Sequence, residues 1–227
     1  MDYVIPAPEP VSVTVVGQSA RFPVRRIYCV GRNYVAHIRE MGGDERDPPF
    51  YFCKPADAIV PTGGTTDYPP QTENFHYEME LVAAIGKGGA NISEEDALDH
   101  VYGYATGLDM TRRDVQIAHR EKGRPWDMGK GFDQSAPCGD IHPVAGVGHF
   151  PKGNIWLKVN GETKQDSDLE LMIWNLQETI ANLSGLVTLA PGDLIYTGTP
   201  DGVGPVVSGD KMQGHIDGLS DIEITVR

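Results

Sequence analysis

The amino-acid sequence predicts an α+β domain that is rich in β-strands and has few, short helices. The chain of 227 residues contains 27 glycines and 17 prolines, a turn-forming content typical of strand-dominated folds. Short apolar or alternating segments recur between these turns, whereas helical periodicity is confined to a few stretches. A chain of this length can bury one sizeable core, so a single domain is the simplest organisation.

The individual elements follow from local patterns. Residues 1–20 are expected to form an extension, with a hairpin at 11–16 that turns at Gly17, packed on a single catalytic domain of residues 21–227. Apolar alternation predicts strands, which we place at 26–30, 76–85, 102–109, 155–159, 194–197 and 222–226. Periodicity and capping residues predict helices at 34–41, from 93 onward, at 111–122 and at about 170–183. Asn160-Gly161 is typical of a type I′ hairpin turn.

Charge and cysteine content exclude several classes of protein. The net charge of −13 argues against binding to nucleic acid or to anionic membranes, both of which require basic surfaces. The first residues of the given sequence do not resemble a signal peptide, so we expect none, and no apolar run reaches the roughly 18–20 residues that span a bilayer. Its three cysteines, Cys29, Cys53 and Cys138, form no CxxC pair and suit buried thiols in a reducing compartment. We therefore expect a cytoplasmic protein.

Three carboxylates form the first candidate site. Glu78 and Glu80 are two residues apart on the strand predicted at 76–85, so their side chains project from the same face. Two neighbouring anions repel each other unless a cation lies between them. Asp109 ends the strand predicted at 102–109 and is a candidate third ligand. An oxygen-only set of this kind favours Mg²⁺ or Mn²⁺, and the alternative is a solvated strand face without metal.

A histidine and a glutamate form the second candidate site. His37 and Glu40 are three residues apart in the helix predicted at 34–41, where side chains with this spacing are neighbours. A carboxylate that holds the imidazole fixes its tautomer and raises its basicity, which suits a base that deprotonates water. The alternative is an ordinary exposed pair on a helix surface.

Several short motifs occur in a fixed order along the chain. They are Gly31-Arg32-Asn33-Tyr34, Lys54-Pro55, His76-Tyr77-Glu78-Met79-Glu80-Leu81, Gly107-Leu108-Asp109-Met110-Thr111, Arg113-Asp114-Val115-Gln116, Gly129-Lys130-Gly131-Phe132-Asp133, Leu157-Lys158-Val159-Asn160-Gly161, Gly192-Asp193 and Thr197-Gly198-Thr199-Pro200. In this order they resemble the fumarylacetoacetate hydrolase family, in its acylpyruvate and fumarylpyruvate hydrolase branch, from about residue 27 to 226.

The resemblance implies a fold, a cofactor and a set of site residues. The fold is a mixed β-sheet roll or sandwich of the type of that family's C-terminal domain, usually in a homodimer with Mg²⁺ or Mn²⁺. Nine residues carry over: the metal ligands Glu78, Glu80 and Asp109, the catalytic residues His37, Glu40 and Lys130, and the substrate contacts Arg32, Gln116 and Thr199.

The reaction that the resemblance implies is hydrolysis of a carbon–carbon bond in a small anionic 2,4-dioxo acid, with fumarylpyruvate as the expected substrate. His37 would take a proton from water, and Lys130 with Gln116 would stabilise the oxyanion. Backbone N–H groups at 197–199 are expected to bind the substrate carboxylate. Arg32, Lys54 and Arg124 are candidates for a second carboxylate. The alternatives are another acylpyruvate hydrolase, an oxaloacetate decarboxylase, or an isomerase or decarboxylase of hydroxylated diene-dioates.

Overall fold

The structure is a computed structural model, and it describes residues 3–34 and 47–227. In these residues the chain forms eighteen strands and four α-helices, of which the longest has 11 residues. The strands are β1 (Ser12–Thr14), β2 (Arg21–Pro23), β3 (Arg26–Gly31), β4 (Phe50–Lys54), β5 (Ile59–Pro61), β6 (Thr65–Thr66), β7 (Phe75–Tyr77), β8 (Met79–Ile85), β9 (Val101–Leu108), β10 (Thr111–Arg112), β11 (Ala136–Cys138), β12 (His142–Pro143), β13 (Asn154–Val159), β14 (Glu162–Asp168), β15 (Asp193–Tyr196), β16 (Gly204–Pro205), β17 (Lys211–Ile216) and β18 (Ile222–Val226). The helices are α1 (Arg113–Glu121), α2 (Asp127–Lys130), α3 (Val144–Val147) and α4 (Leu176–Leu186). The predicted strand-rich α+β class with few, short helices is confirmed.

The strands form one large mixed sheet and three smaller sheets. The large sheet has the order β4-β3-β15-β8-β9-β11-β5, with β12 also paired to β9. A five-stranded sheet has the order β14-β13-β17-β18-β6, and a three-stranded sheet has the order β10-β7-β16. The pairs β3–β15, β5–β11 and β6–β18 are parallel, whereas the remaining pairs of these sheets are antiparallel. Mixed pairing of this kind agrees with the predicted roll.

Apolar side chains pack on both faces of the large sheet. On β8, Leu81 and Ala83 belong to the core that also contains Leu157 of the five-stranded sheet, and Val82 and Ala84 belong to a second core on the opposite face. Successive residues of a strand point to opposite faces, so a strand buried on both sides carries apolar residues throughout. The strand that carries Glu80 therefore lies in the middle of the protein.

The N-terminal hairpin covers part of the second core. β1 pairs antiparallel with β2, and Val13, Val15 and Phe22 are buried in that core. The Val16 N–H also donates to the carbonyl of Ile141. The boundary that we placed between an extension at residues 1–20 and a catalytic domain at 21–227 stays a prediction.

The predicted strand at 76–85 is wrong in one respect that matters for the site. The segment forms two strands, β7 and β8, which belong to different sheets, and Glu78 is the residue between them. The alternation of polar and apolar residues continues through the break, and so the sequence pattern does not reveal it. The chain passes from one sheet to the other at the first candidate metal ligand.

Two helix predictions also need correction. The Ser93 hydroxyl accepts a hydrogen bond from the Asp96 N–H, as the cap predicts, but only a short 3-10 turn at Ala97–His100 follows. The His100 carbonyl is held by the N–H groups of Gly86 and Lys87, and β9 begins directly afterwards, which leaves no room for a helix.

The helix predicted at about 170–183 begins later. α4 starts after Asn175, whose side chain and that of Glu178 form a capping box. The residues before it are held by Asn33, which bonds to the backbone of Ile173 and Trp174 and so prevents an earlier start. The helix predicted at 34–41 lies, apart from its first residue, outside the described residues.

The remaining predicted elements are confirmed to within two residues at each end. β3, β9, β13, β15, β18 and α1 lie where the sequence places them. Asn160 and Gly161 have φ values of 52° and 83°, as a type I′ turn between β13 and β14 requires. None of the helices in the described part of the chain has the length and apolar character that crossing a membrane requires.

The close approach of β9 and β12 gives a test of the fold. A Cβ atom at Gly103 would lie 2.4 Å from the carbonyl oxygen of His142 and 2.8 Å from the side chain of Ile141. Since backbone must move to relieve this overlap, we expect Gly103→Ala to lower the free energy of unfolding by about 1–3 kcal/mol. Gly146→Ala in α3 is the control, because a Cβ atom there meets nothing within 4 Å. Urea unfolding measures both, and equal stability of the two variants would contradict this packing.

Candidate metal centre and active site

Three elements bring the predicted carboxylates together. Glu78 lies at the break between β7 and β8, Glu80 is the second residue of β8, and Asp109 directly follows β9. β8 and β9 are paired with Glu80 opposite Gly107, and the Asp109 N–H donates to the Glu78 carbonyl at 2.9 Å. One oxygen from each carboxylate lies within 4.8 Å of the others, and all three side chains are buried. The three carboxylates therefore converge, as the sequence predicts.

Buried cations lie against two of the three carboxylates. Lys130 Nζ lies 2.8 Å from Glu78 Oε2 and 2.6 Å from Asp109 Oδ2, and it bridges them. Arg113 donates to Glu78 Oε1. Lys54 Nζ lies 2.8 Å from Asp109 Oδ1, although without the alignment of a hydrogen bond. Burial disfavours the charged form of Lys130, but Asp109 and Glu78 outweigh this effect and raise the pKa of its ammonium group.

Glu80 differs from the other two carboxylates. Its Oε2 accepts the Gly198 N–H at 2.8 Å, and no lysine or arginine of the described residues forms an ion pair with it. Burial raises the pKa of Glu80 well above its usual range, and the charges of Asp109 and Glu78 add to this shift. A buried carboxylate beside two others is costly unless a cation compensates it.

The group therefore fits a hard divalent cation. Its donors are carboxylate oxygens, which Mg²⁺ and Mn²⁺ prefer, and its charge deficit is located at Glu80. The alternative of a solvated strand face is excluded by the burial of the three side chains, whose exposed fractions are 5% or less. The three carboxylates form a site for a divalent metal.

A pocket opens onto this centre. Six of the predicted site residues line it: Arg32, Glu78, Glu80, Gln116, Lys130 and Thr199. Asp109 adjoins it through its contact with Lys130. His37 and Glu40, the predicted water-activating pair, lie outside the described residues.

Arg32 enters the pocket from the end of β3. Its φ of 58° lies in the left-handed region, which is unfavourable for arginine and is found mostly where the surrounding structure enforces it. The preceding Gly31 has no room for a side chain, since a Cβ atom there would lie 2.1 Å from the Phe50 ring. The left-handed conformation of Arg32 turns the chain directly after Gly31, beside the pocket that both residues line.

α1 presents Gln116 to the pocket. Arg113, three residues earlier and on the same face of the helix, donates to Gln116 Oε1 and also to Glu78. Because the amide oxygen is thus occupied, the amide NH₂ group is left to donate. Gln116 is therefore placed as a hydrogen-bond donor next to the carboxylates.

The loop at 197–199 supports the centre in a different way from the one we expected. The Thr197 N–H donates to the Leu81 carbonyl and the Gly198 N–H donates to Glu80, so neither is available to a substrate carboxylate. Gly198 has a φ of 97°, and a Cβ atom there would lie 2.6 Å from that of Asn33. The Thr199 hydroxyl accepts from Gln165 and keeps its own proton for donation.

Three further cations, whose positions were not predicted from the sequence, belong to the site. Arg113 and Arg120 line the pocket, and Lys54 lies beneath it against Asp109, where its ammonium group also donates to the carbonyls of Met110 and Lys130. The spacing of Arg113, Gln116 and Arg120 at i, i+3 and i+7 on a predicted helix is the signal that identifies their common face. Arg124, a candidate for the second carboxylate, is exposed and does not line this pocket, which corrects that expectation.

Comparison with known families agrees with this geometry. Residues 26–227 match the model of the fumarylacetoacetate (FAA) hydrolase C-terminal family. The chain belongs to the fumarylacetoacetate hydrolase family. The family resemblance that the order of motifs indicated is thereby confirmed, as is the fold type.

Individual members of the fumarylacetoacetate hydrolase family show how much is shared. A fumarylpyruvate hydrolase of Ralstonia sp. is 54% identical over 177 residues, which cover 78% of this chain and 92% of that protein. The human mitochondrial oxaloacetate tautomerase FAHD1 is 42% identical over 195 residues, covering 86% of this chain and 88% of that one. The crystal structure of the fumarylpyruvate hydrolase from Pseudomonas aeruginosa in complex with Mn²⁺ and pyruvate has a TM-score of 0.97 and 55% identity, and covers 99% of each chain.

The metal centre can be tested by removing the carboxylate that lacks a cation. Since Glu80→Gln removes a charged oxygen ligand, we expect the affinity for Mn²⁺ to fall by at least about tenfold, measured by isothermal titration calorimetry. The same variant without metal should unfold at a temperature equal to or above that of the wild type, because a neutral amide relieves repulsion among buried anions.

Glu94→Gln is the matched control for this experiment. Glu94 is exposed and distant in sequence from the three carboxylates, so its amide variant should keep the wild-type affinity for Mn²⁺. Wild-type affinity in Glu80→Gln would show that the metal binds elsewhere.

Proposed function

We propose that this protein is a metal-dependent hydrolase that cleaves fumarylpyruvate to fumarate and pyruvate. The observation that carries the proposal is the pocket, which joins a buried three-carboxylate centre to donors on Lys130 and Gln116. It occurs in a chain that is 55% identical over nearly its full length to a fumarylpyruvate hydrolase of known structure. Ring cleavage of a gentisate-type aromatic compound is the class of reaction that supplies such a substrate.

The proposed cofactor is Mg²⁺ or Mn²⁺, held by Glu78, Glu80 and Asp109. When bound, such an ion polarises substrate oxygens as a Lewis acid and offsets part of the substrate's negative charge. The donor chemistry of the three residues and the Mn²⁺ in the related crystal structure support this assignment.

Water activation is assigned to His37 and Glu40. In this assignment Glu40 would hold the imidazole, and His37 would take a proton from a water molecule as the water oxygen adds to the ketone carbon distal to the pyruvyl group. The bond from that carbon to the adjacent methylene then breaks, its electron pair remains with the pyruvyl fragment, and that fragment takes up a proton. This assignment rests on the resemblance and on the spacing of the two residues.

We assign the stabilisation of negative charge on the substrate oxygens to hydrogen-bond donors in the pocket. Lys130 uses two of its three N–H donors for Glu78 and Asp109, so one remains for the oxyanion. The amide of Gln116 is held by Arg113 with its NH₂ group free to donate. Buried, preorganised donors of this kind are effective because they need not reorganise during the reaction.

Arg32 and Thr199 are assigned to substrate binding. Both line the pocket, Arg32 as a cation and Thr199 as a hydroxyl donor. The substrate is a small oxo acid with at least one carboxylate, which these groups would orient at the centre.

Assembly as a homodimer and a cytoplasmic location complete the proposal. Exposed apolar side chains such as Leu171 and Leu186 provide surface for subunit contact. All three cysteines are free, as is typical of proteins in a reducing compartment; Cys29 and Cys138 are buried as expected, whereas Cys53 is exposed, which corrects the expectation for that residue.

A second candidate function is a reaction of oxaloacetate. The human relative at 42% identity is an oxaloacetate tautomerase. Tautomerisation and decarboxylation can use the same carboxylate centre but require no attacking water, so the assignment of His37 and Glu40 favours hydrolysis.

A substrate panel separates these functions. With Mn²⁺ saturating, we expect kcat/KM for fumarylpyruvate to exceed that for acetylpyruvate and for oxaloacetate by at least about tenfold, because acetylpyruvate lacks a second carboxylate for the cations of the pocket and oxaloacetate lacks the distal ketone to which water would add. Spectrophotometric loss of each substrate, with pyruvate measured as product, gives the three values. A higher kcat/KM for oxaloacetate would reject the hydrolase assignment.

The water-activating pair has its own test. His37→Ala should lower kcat for fumarylpyruvate by about 10²–10⁴-fold, the usual contribution of a general base, with an unchanged affinity for Mn²⁺. Glu40→Gln should act in the same direction with a smaller effect. His142→Ala, whose side chain bonds to Ser220 and does not line the pocket, is the control and should keep wild-type turnover. Near-normal turnover by His37→Ala would remove the pair from the mechanism.

A further inference from the structure

The charge of the pocket is opposite to that of the protein. The chain has a net charge of −13, yet the described residues that line the pocket include four cations and two carboxylates. The cations are Arg32, Arg113, Arg120 and Lys130. Such a local excess of positive charge favours an anionic ligand and raises its concentration at the site.

Two of these cations are already engaged by the protein's own acids. Lys130 is shared between Glu78 and Asp109, and Arg113 is divided between Glu78 and Gln116. Their charge is largely used to hold the carboxylate centre together. They stabilise that centre, and neither cation keeps its full set of N–H donors for a substrate carboxylate.

Arg120 has no such partner. Its half-buried side chain lines the pocket, and it forms no hydrogen bond or ion pair with any residue in the described ranges 3–34 and 47–227. Arg120 lies on the same face of α1 as Arg113 and is separated from it by two helical turns. At a rise of 1.5 Å per residue this places their Cα atoms about 10 Å apart along the helix axis.

Arg120 therefore lies two turns along α1 from Arg113, the helix residue that contacts the metal centre. Arg113, at one end of the helix face, contacts Glu78 directly. The backbone at Arg32 also lies near the metal centre, since the next residue, Asn33, lies against Gly198, which in turn donates to Glu80. A ligand that reaches from the metal centre to Arg120 must be elongated and must carry an anionic group at its far end.

We propose that Arg120 is the specificity-determining residue that binds the distal carboxylate of a dicarboxylic 2,4-dioxo acid. This inference rests on the proposed function and extends it, because it assigns the group that distinguishes fumarylpyruvate from acylpyruvates with an uncharged end. An arginine guanidinium matches a carboxylate with two parallel hydrogen bonds, and the partial burial of Arg120 in the pocket strengthens the pairing. Lys54 is already engaged beneath the centre, and Arg124 lies outside the pocket.

The test compares substrates with and without the distal carboxylate. For Arg120→Gln with Mn²⁺ saturating, we expect KM for fumarylpyruvate to rise by about 10- to 100-fold, the effect of losing a charge-assisted pair. KM for acetylpyruvate, which lacks that carboxylate, should stay within about twofold of the wild-type value. Arg120→Lys should restore part of the loss, since it keeps the charge but not the planar fork.

Arg124→Gln is the matched control. It removes a cation that is four residues further along the chain, exposed and outside the pocket, so both substrates should be cleaved as by the wild type. An equal rise in KM for the two substrates, or no rise for either in Arg120→Gln, would overturn the inference.

A binding experiment keeps this result separate from the proposed function. Isothermal titration of the Mn²⁺-loaded protein with fumarate and with pyruvate requires no turnover. We expect Arg120→Gln to weaken fumarate binding by a factor similar to the change in KM and to leave pyruvate binding unchanged. If the wild type cleaves neither substrate, the proposed function fails while fumarate binding still tests Arg120. Fumarate binding that is absent in the wild type or unaffected by the variant would overturn the inference.

Discussion

The structure depends on one electrostatic constraint, the burial of three carboxylates within 4.8 Å of one another. Lys130, Arg113 and Lys54 neutralise two of these carboxylates, Glu78 and Asp109. Glu80 instead accepts a hydrogen bond from the Gly198 N–H, and burial raises the pKa of its carboxyl group. A buried anion in this position is costly, and a divalent cation is the compensation that the donor set favours.

The fold supplies this constraint by joining two sheets at the site. The chain leaves the three-stranded sheet after β7 and enters the large sheet at β8, so Glu78 lies at the crossing and Glu80 lies one step inside the large sheet. β9 then delivers Asp109 beside them through its pairing with β8. Because β8 is covered by apolar cores on both faces, the carboxylates are held rigidly, and rigid positioning is what selective metal binding requires.

The sequence predicted those parts of the fold that depend on local patterns. The Asn160-Gly161 turn and the strand Ile222–Val226 follow from a few adjacent residues, and both are confirmed. The break at Glu78 and the late start of α4 were missed because they depend on contacts between distant segments, such as Asn33 with Trp174. Local pattern does not record which segment a side chain will meet.

The same distinction applies to the site. Glu78, Glu80 and Asp109 were predictable because strand alternation and the order of motifs both indicate them. Arg120 was missed because an arginine near the end of an amphipathic helix is ordinarily a solvated charge, although its spacing of four residues from Gln116, a predicted substrate contact, places it on the same helix face. The roles of the individual residues follow from chemistry once they are placed in one pocket.

The proposed chemistry requires binding of the metal by all three carboxylates together. Anomalous diffraction from crystals of the wild-type protein grown with Mn²⁺ tests it most directly, because the signal locates the ion independently of activity. We expect one strong peak in each molecule, at ligand distance from oxygens of Glu78, Glu80 and Asp109. A peak located elsewhere, with Lys130 still bridging Glu78 and Asp109 and no ion between the carboxylates, would contradict metal binding by these three residues.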